Sequence, residues 1–289
     1  MTGQARRVFD RVSKRYSRHG PNVIDDVSLD IAPGEHVLIV GSNGSGKSTL
    51  LSTMAKTTRP TSGIVTTPGP IAYTPERLPQ HLRFTAAEYL VHMGRIRGMS
   101  RNDTVTRAGQ LLERLALVPG PEAAFESLSK GNRQKVILAQ AFLQNVPTVI
   151  LDEPASGLDE AATQTLADLI SEARFAGGSV VSSSQQLARW AEPDQVLRIW
   201  KGRLTAEIST RDMPSLKALP MRLEATSPDD FDASFVTRFE GTRIAALRAG
   251  GNVEIFTNDS VVDSLLAHLL GRGWSIRSLS PRDDGEQQQ

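Results

Sequence analysis

The sequence predicts an α/β fold built on a parallel sheet, with a smaller α+β segment behind it. Three observations carry that prediction. Residues 37–40 are a short continuous apolar run that enters the glycine-rich loop 41–46 and then a helical stretch, 47–56. Thr148–Leu151 is a second apolar run, set between helical stretches at 132–143 and 159–176. Gly177-Gly178 stops the later helix, and 179–183 follows as another strand. Short runs that are apolar throughout suit parallel strands covered on both faces.

The remaining elements follow in order. Val27, Leu29 and Ile31 alternate with polar residues, the period of a half-buried strand, and Pro33-Gly34 turns the chain. Residues 82–117 are mostly helical and carry Arg83, Arg95, Arg97, Arg101, Arg107 and Arg114. Gln195–Trp200, the turn Lys201-Gly202 and residues 203–208 predict a hairpin. The character changes near Met213-Pro214. Strand-like runs at 243–247 and 253–256, a helix-like run at 260–270 and a strand at 274–279 form the small α+β part. The expected organisation is therefore one domain over 1–212, with a helical subdomain near 77–127, a second over 213–280, and a disordered tail over 281–289.

Composition narrows the function classes. The chain has 289 residues, enough to bury a sizeable core, and its formal charge is 33 − 32 = +1. Such a balance gives no electrostatic case for nucleic acid as a partner. Cysteine is absent, which removes disulfides, thiolate catalysis and cysteine zinc sites. No run approaches the roughly 18 apolar residues of a membrane span, and the Arg-rich residues 1–18 lack the apolar stretch of a signal peptide.

Two motifs carry chemistry. Gly41-Ser42-Asn43-Gly44-Ser45-Gly46-Lys47-Ser48 fits G-x-x-x-x-G-K-[ST], with a strand before it and a helix after it, and Thr49 is expected among the nucleotide-binding residues. Its glycines let successive backbone N–H groups converge on phosphate oxygens, and the helix N-terminus adds partial positive charge. Lys47 is expected at the β- and γ-phosphates, and the Ser48 hydroxyl at Mg²⁺. The second motif is the strand Thr148–Leu151 ending in Asp152-Glu153. Ligands of parallel sheets sit beyond the carboxyl ends of strands. Asp152 is thus placed to hold Mg²⁺, and Glu153 to polarise an attacking water.

With these residues in place, the sequence resembles the nucleotide-binding subunit of ABC transporters over roughly residues 8–208. Leu128-Ser129-Lys130-Gly131-Asn132 looks like the family signature, usually L-S-G-G-Q, and lies about twenty residues before the acidic strand. Ser156-Gly157-Leu158-Asp159 matches the D-loop, and Tyr16 the aromatic that stacks on adenine. The resemblance implies an ABC-type P-loop ATPase core with an antiparallel β subdomain and a helical subdomain. It implies ATP and Mg²⁺ as cofactors, with Ser129, Gly131 and Asp159 among the nucleotide contacts. It also implies a head-to-tail dimer, homo- or heteromeric, in which two ATPs lie between one chain's phosphate loop and the other's signature. A separate membrane permease would dock near the Arg-dotted helices and hold the chain at the cytoplasmic face of the membrane.

Four positions, in three motifs, depart from the family pattern. Glu76 stands where the Q-loop glutamine is usual; a carboxylate can still ligate Mg²⁺ but adds negative charge. Gln185 stands in place of the H-loop histidine and can hydrogen-bond a phosphate without carrying charge. Lys130 and Asn132 alter the signature. The expectation is an active ATPase, slower than a fully conserved member; the alternative is a low-turnover regulatory switch. One set of motifs, Glu76, the Lys-containing signature and the short tail resemble ABC-2-type export ATPases. The C-terminal α+β part is expected either to stabilise or regulate the dimer or to act as a packing cap on the hairpin.

Overall fold

The computed structural model describes residues 6–76, 82–185, 192–209, 221–227, 239, 242–248, 252–257 and 259–281. At its centre is β3 (His36–Val40), buried along its whole length. Parallel to it run β7 (Ser179–Ser184) and β8 (Gln195–Trp200) on its two sides. Beyond β7 lie β6 (Thr148–Leu151) and β5 (Ile71–Thr74), also parallel. The hairpin strand β9 (Arg203–Ser209) closes the other edge antiparallel, giving the order β5-β6-β7-β3-β8-β9. The predicted hairpin and its Lys201-Gly202 turn are present, with both turn residues at positive φ.

Each face of this sheet meets a different partner, which explains why β3 and β6 are buried along their whole length. Val37, Ile39, Ile150, Val181 and Leu197 share a cluster with Leu50, Leu51 and Met54 of α1 (Lys47–Met54). The same cluster includes Phe9 and Val12 of β1 (Arg6–Lys14) and Val27 and Leu29 of β2 (Ile24–Ile31). With β4 (Ser62–Val65) these two strands form an antiparallel sheet ordered β2-β1-β4. The alternation read at Val27, Leu29 and Ile31 is the buried face of β2. β1 and β4 had no sequence signal of their own; β1 carries register irregularities against both neighbours, which blur the two-residue period.

On the opposite face, Ala72, Val149, Leu151 and Val180 pack with α4 (Lys130–Ala141) and α5 (Glu160–Phe175). The same cluster takes in the helical subdomain, α2 (Ala86–Ile96) and α3 (Arg101–Arg114). Thr85 starts α2 with a full capping box to Glu88, and Ser100 caps α3. Half of the arginines noted in this segment tie it to the α4 and α5 segments. Arg97 donates to Gln140 O at 2.6 Å and Arg107 to Phe142 O at 3.3 Å. Arg114 makes a two-armed contact with Glu172 of α5.

The remaining part of that face, Leu38, Val40 and Val196, belongs to a third cluster with the C-terminal α+β part. That part comprises β10 (Met221–Thr226), β11 (Arg243–Arg248), β12 (Asn252–Thr257), α6 (Asp259–Gly271) and β13 (Ser275–Pro281). Its strands are all antiparallel in the order β11-β12-β10-β13, the arrangement of split β-α-β sheets. Pro281 ends β13, so the strand runs two residues past the predicted end at 279 and takes in the first residue assigned to the tail; 282–289 and the boundary at 212–213 lie outside the described residues.

We propose that this part is a second domain that covers the main sheet as a cap. Leu38, Val40 and Val196 are each no more than 3% exposed. Uncovering such side chains costs up to about 1.5–3 kcal/mol apiece, a large share of a typical domain's stability. A chain ended at residue 210 is expected to melt at lower temperature and bind an apolar dye while still binding nucleotide. An unchanged melting temperature would remove the cap assignment.

Candidate functional site

The carboxyl ends of β3, β5, β6 and β7 point to one place, and the chemistry-bearing residues lie there. After β3 the chain turns through residues 41–46. Gly41 is pressed between strands: a Cβ on it would lie 2.6 Å from Ser45 Oγ and 2.7 Å from Ile199 O. Gly46, at φ +111, is the N-cap of α1, and a Cβ there would lie 2.7 Å from Val23 O. Gly44, at φ +79, faces open space. The result is a backbone cradle at a helix N-terminus, open to solvent at Gly44. Ser42, Asn43 and Ser48 are exposed, while Ser45 is buried and its Oγ makes no hydrogen bond.

Lys47 does not extend into solvent. Its side chain is 6% exposed, and Nζ donates to Gly41 O at 2.7 Å and Ser42 O at 3.3 Å. Nζ also lies 3.3 Å from Glu153 Oε1, close enough for charge attraction though not aligned as a hydrogen bond. Tyr16 is 65% exposed; its hydroxyl lies 3.3 Å from Thr49 Oγ1, and Lys14 Nζ stands 5.1 Å from its ring centre. A free aromatic face thus flanks the cradle, the arrangement on which a base can stack.

Asp152 is 1% exposed and follows directly on β6. One oxygen, Oδ1, accepts from Ser183 Oγ at 2.6 Å; the other, Oδ2, is buried with no hydrogen-bond partner. A buried unpartnered carboxylate oxygen is costly unless a further group uses it. The donor set fits Mg²⁺, which is held by one or two protein oxygens together with substrate phosphates. Among the described residues no group of three or more acidic or His side chains makes a complete metal site.

Glu153 has φ +49, a left-handed conformation that costs a non-glycine residue about 1–3 kcal/mol. Its N–H donates to Ser183 Oγ at 2.9 Å. Burial pushes its carboxyl above the ordinary glutamate range; Lys47 opposes that rise, and the negative charges of Asp152 and Glu76 add to it. Glu76 is exposed beyond β5 and acts on Glu153 through its charge. Gln185, also exposed, follows β7, and the preceding Ser184 carbonyl accepts from Gly41 N–H at 3.2 Å. Tyr73 of β5 has its hydroxyl pushed up by burial and by nearby Asp152.

The signature segment forms a second helix N-terminus. Ser129 caps α4, its Oγ accepting from Asn132 N–H at 3.2 Å. Helix α4 begins at Lys130, two residues before the predicted start. Four ties bind its first turns to the loop that leaves Glu153. Gly131 packs on Gly157 O so closely that any Cβ would collide with it. Lys130 Nζ donates to Ser156 Oγ at 3.2 Å, Gln134 Nε2 to Pro154 O at 3.0 Å, and Lys135 Nζ to Asp159 Oδ2 at 2.8 Å. Asp159 also caps α5 through Oδ1. Both of its oxygens accept bonds within the chain, so Asp159 ties loop to helix while its side chain stays exposed.

A phosphate cradle, a buried acidic strand end and a second helix N-terminus held to it define the class: a nucleotide-binding ATPase cassette. The family model described as ABC transporter matches residues 24–156. The chain is 26% identical over 276 residues to the uncharacterized ABC transporter ATP-binding protein YhaQ of Bacillus subtilis, spanning 92% of this chain and 91% of that one. It is 27% identical over 219 residues to the doxorubicin resistance ATP-binding protein DrrA of Mycobacterium tuberculosis, spanning 71% and 66%. Among solved structures it resembles the dimeric structure of MJ0796, a bacterial ABC transporter cassette, with a TM-score of 0.60, 26% identity, and coverage of 71% and 99%. The chain belongs to the ABC transporter family, as an ATP-binding ATPase subunit. No helix among the described residues is long and apolar enough to cross a membrane.

Sequence reasoning missed Ser183. It sits in the run Ser182-Ser183-Ser184, which carries no motif. Buried consecutive serines in a strand are themselves a signal, because each hydroxyl must find a partner.

Proposed function

We infer that the chain binds ATP with Mg²⁺ and hydrolyses it to power a separate membrane permease, as an export ATPase working in a head-to-tail dimer. The observation that carries this is the convergence of Lys47, Asp152 and Glu153, with a second anion-binding helix end tied to the loop that leaves Glu153. In this reading the residues 41–48 and Thr49 hold the phosphates, Tyr16 the base, and Ser129 with Gly131 the partner chain's nucleotide. Ser48, Asp152 and Glu76 would hold Mg²⁺, which supplies charge neutralisation at the phosphates. Glu153 orients and deprotonates the attacking water, and Gln185 bonds the transferred phosphate. The similarity to a drug-resistance ATP-binding protein supports export. Exposed Arg83, Arg95 and Arg101 leave part of the helical subdomain available to a permease held at the cytoplasmic face.

A second reading rests on the charge at the site. Glu76 adds a negative charge near Glu153, and Gln185 brings no cation to offset it. Both act against the stabilisation of developing charge that drives phosphoryl transfer. Steady-state phosphate release separates the two readings, measured for the purified chain and for its complex with its membrane permease. Turnover that rises on assembly is the expected result. ATP-driven dimerisation without turnover in either form would establish the switch.

A further inference from the structure

We propose that Ser183 is a positioning residue for both acidic groups of the site, fixing which oxygen Asp152 offers to a divalent metal. The proposal rests on the reading of Asp152 as the metal's protein anchor. Ser183 is fully buried in β7, one strand away from β6. Its hydroxyl has one hydrogen and two lone pairs, and the structure uses them in a defined way. The hydrogen goes to Asp152 Oδ1 at 2.6 Å, a short bond to a charged acceptor. A lone pair receives Glu153 N–H at 2.9 Å.

Two consequences follow from this single atom. With Oδ1 engaged, the Asp152 carboxylate cannot rotate freely, and Oδ2 is the oxygen left without a partner. With its N–H held, Glu153 keeps the left-handed conformation at φ +49 that turns the chain out of β6 beside Lys47. Ser183 also links these residues to the phosphate loop, because the next residue of β7 receives Gly41 N–H. Groups that orient a metal's protein ligands, without touching the metal, typically carry 10–100-fold in metal affinity or activity.

The test uses the full-length chain with ATP and Mn²⁺ as a paramagnetic stand-in for Mg²⁺, reading bound Mn²⁺ by electron paramagnetic resonance. Ser183→Ala is expected to weaken ATP-dependent Mn²⁺ binding by about 10–100-fold. Ser183→Thr and Ser183→Val have nearly the same shape, so any crowding in the buried strand is common to both. Thr is expected to bind Mn²⁺ more tightly than Val by a similar factor. Parental Mn²⁺ affinity in Ser183→Ala, or equal losses in Thr and Val, would overturn the positioning role, whatever happens to the melting temperature. Asp152→Asn separates this from the reading beneath it. If Asp152→Asn loses Mn²⁺ and Ser183→Ala does not, only the role of Ser183 fails. If Asp152→Asn binds Mn²⁺ normally, the metal anchor itself has been misplaced.

Discussion

Glu153→Gln is expected to lower ATP turnover by about 10²–10⁴-fold while leaving ATP bound, the range for losing a positioned general base. The substitution keeps the shape and removes the negative charge. Three features single out this carboxylate. It follows a buried strand end, it lies 3.3 Å from Lys47 Nζ, and burial holds its proton affinity above that of an ordinary glutamate. A more basic carboxylate is the better proton acceptor, and the same shift places the acid limb of the turnover profile above the ordinary glutamate value. The variant should therefore retain ATP and accumulate as an ATP-bound dimer, read by light scattering and by bound-nucleotide analysis. Turnover at the parental rate would move the base elsewhere, and Glu76 would be the next carboxylate to test.

The parts of this site that were legible in the sequence are those written in contiguous residues. The phosphate loop needs glycines at fixed offsets because Gly41 and Gly46 are closed in by Ile199 O and Val23 O. The acidic pair was legible because it ends a strand that must be apolar on both faces. Tyr16 could be placed only through the family pattern; that it stands beside Thr49 depends on how β1 meets α1. Contacts made between strands left no such trace. Ser183 reaches Asp152 across a parallel pair, and the serines beside it signal a need for partners without naming them. The arginines of the helical subdomain mark an expected docking region in the sequence, yet Arg97 and Arg107 are engaged by the last carbonyls of the α4 segment. Their partners lie 43 and 35 residues away, beyond any local period.

The same limit applies to the C-terminal part. Its strands and helix were legible from short apolar runs, but its relation to the main sheet was not. Leu38 and Val40 read as ordinary buried-strand residues, and a helix of the main domain would have served as well to cover them. The structure instead gives part of that sheet face to the cluster containing Leu223, Ile255, Leu265 and Trp274. The apolar side of the segment is thus used within the chain, on β3 as well as on the hairpin strand β8.

Lys47→Ala is expected to weaken ATP binding by about 10–100-fold, the worth of a charge-assisted hydrogen bond to phosphate. Two opposed effects decide how the rest of the molecule responds. Nζ is now bonded to Gly41 O and Ser42 O, so removing it leaves loop carbonyls with one donor fewer. It also leaves the Glu153 carboxylate without its nearby cation, in a site whose burial already favours the protonated form. That carboxyl can take up a proton, which relieves the buried charge, whereas the two carbonyls must replace the lost donor with water. The fold should therefore survive with a modest loss of melting temperature, while nucleotide affinity falls sharply. In the function proposed above, the same lysine exchanges its bonds to Gly41 O and Ser42 O for phosphate oxygens as ATP binds. Titration with a fluorescent ATP analogue, alongside thermal melting without nucleotide, measures both effects on one sample. Parental affinity in a folded Lys47→Ala chain would remove the lysine from the phosphate site, whatever the loop geometry suggests.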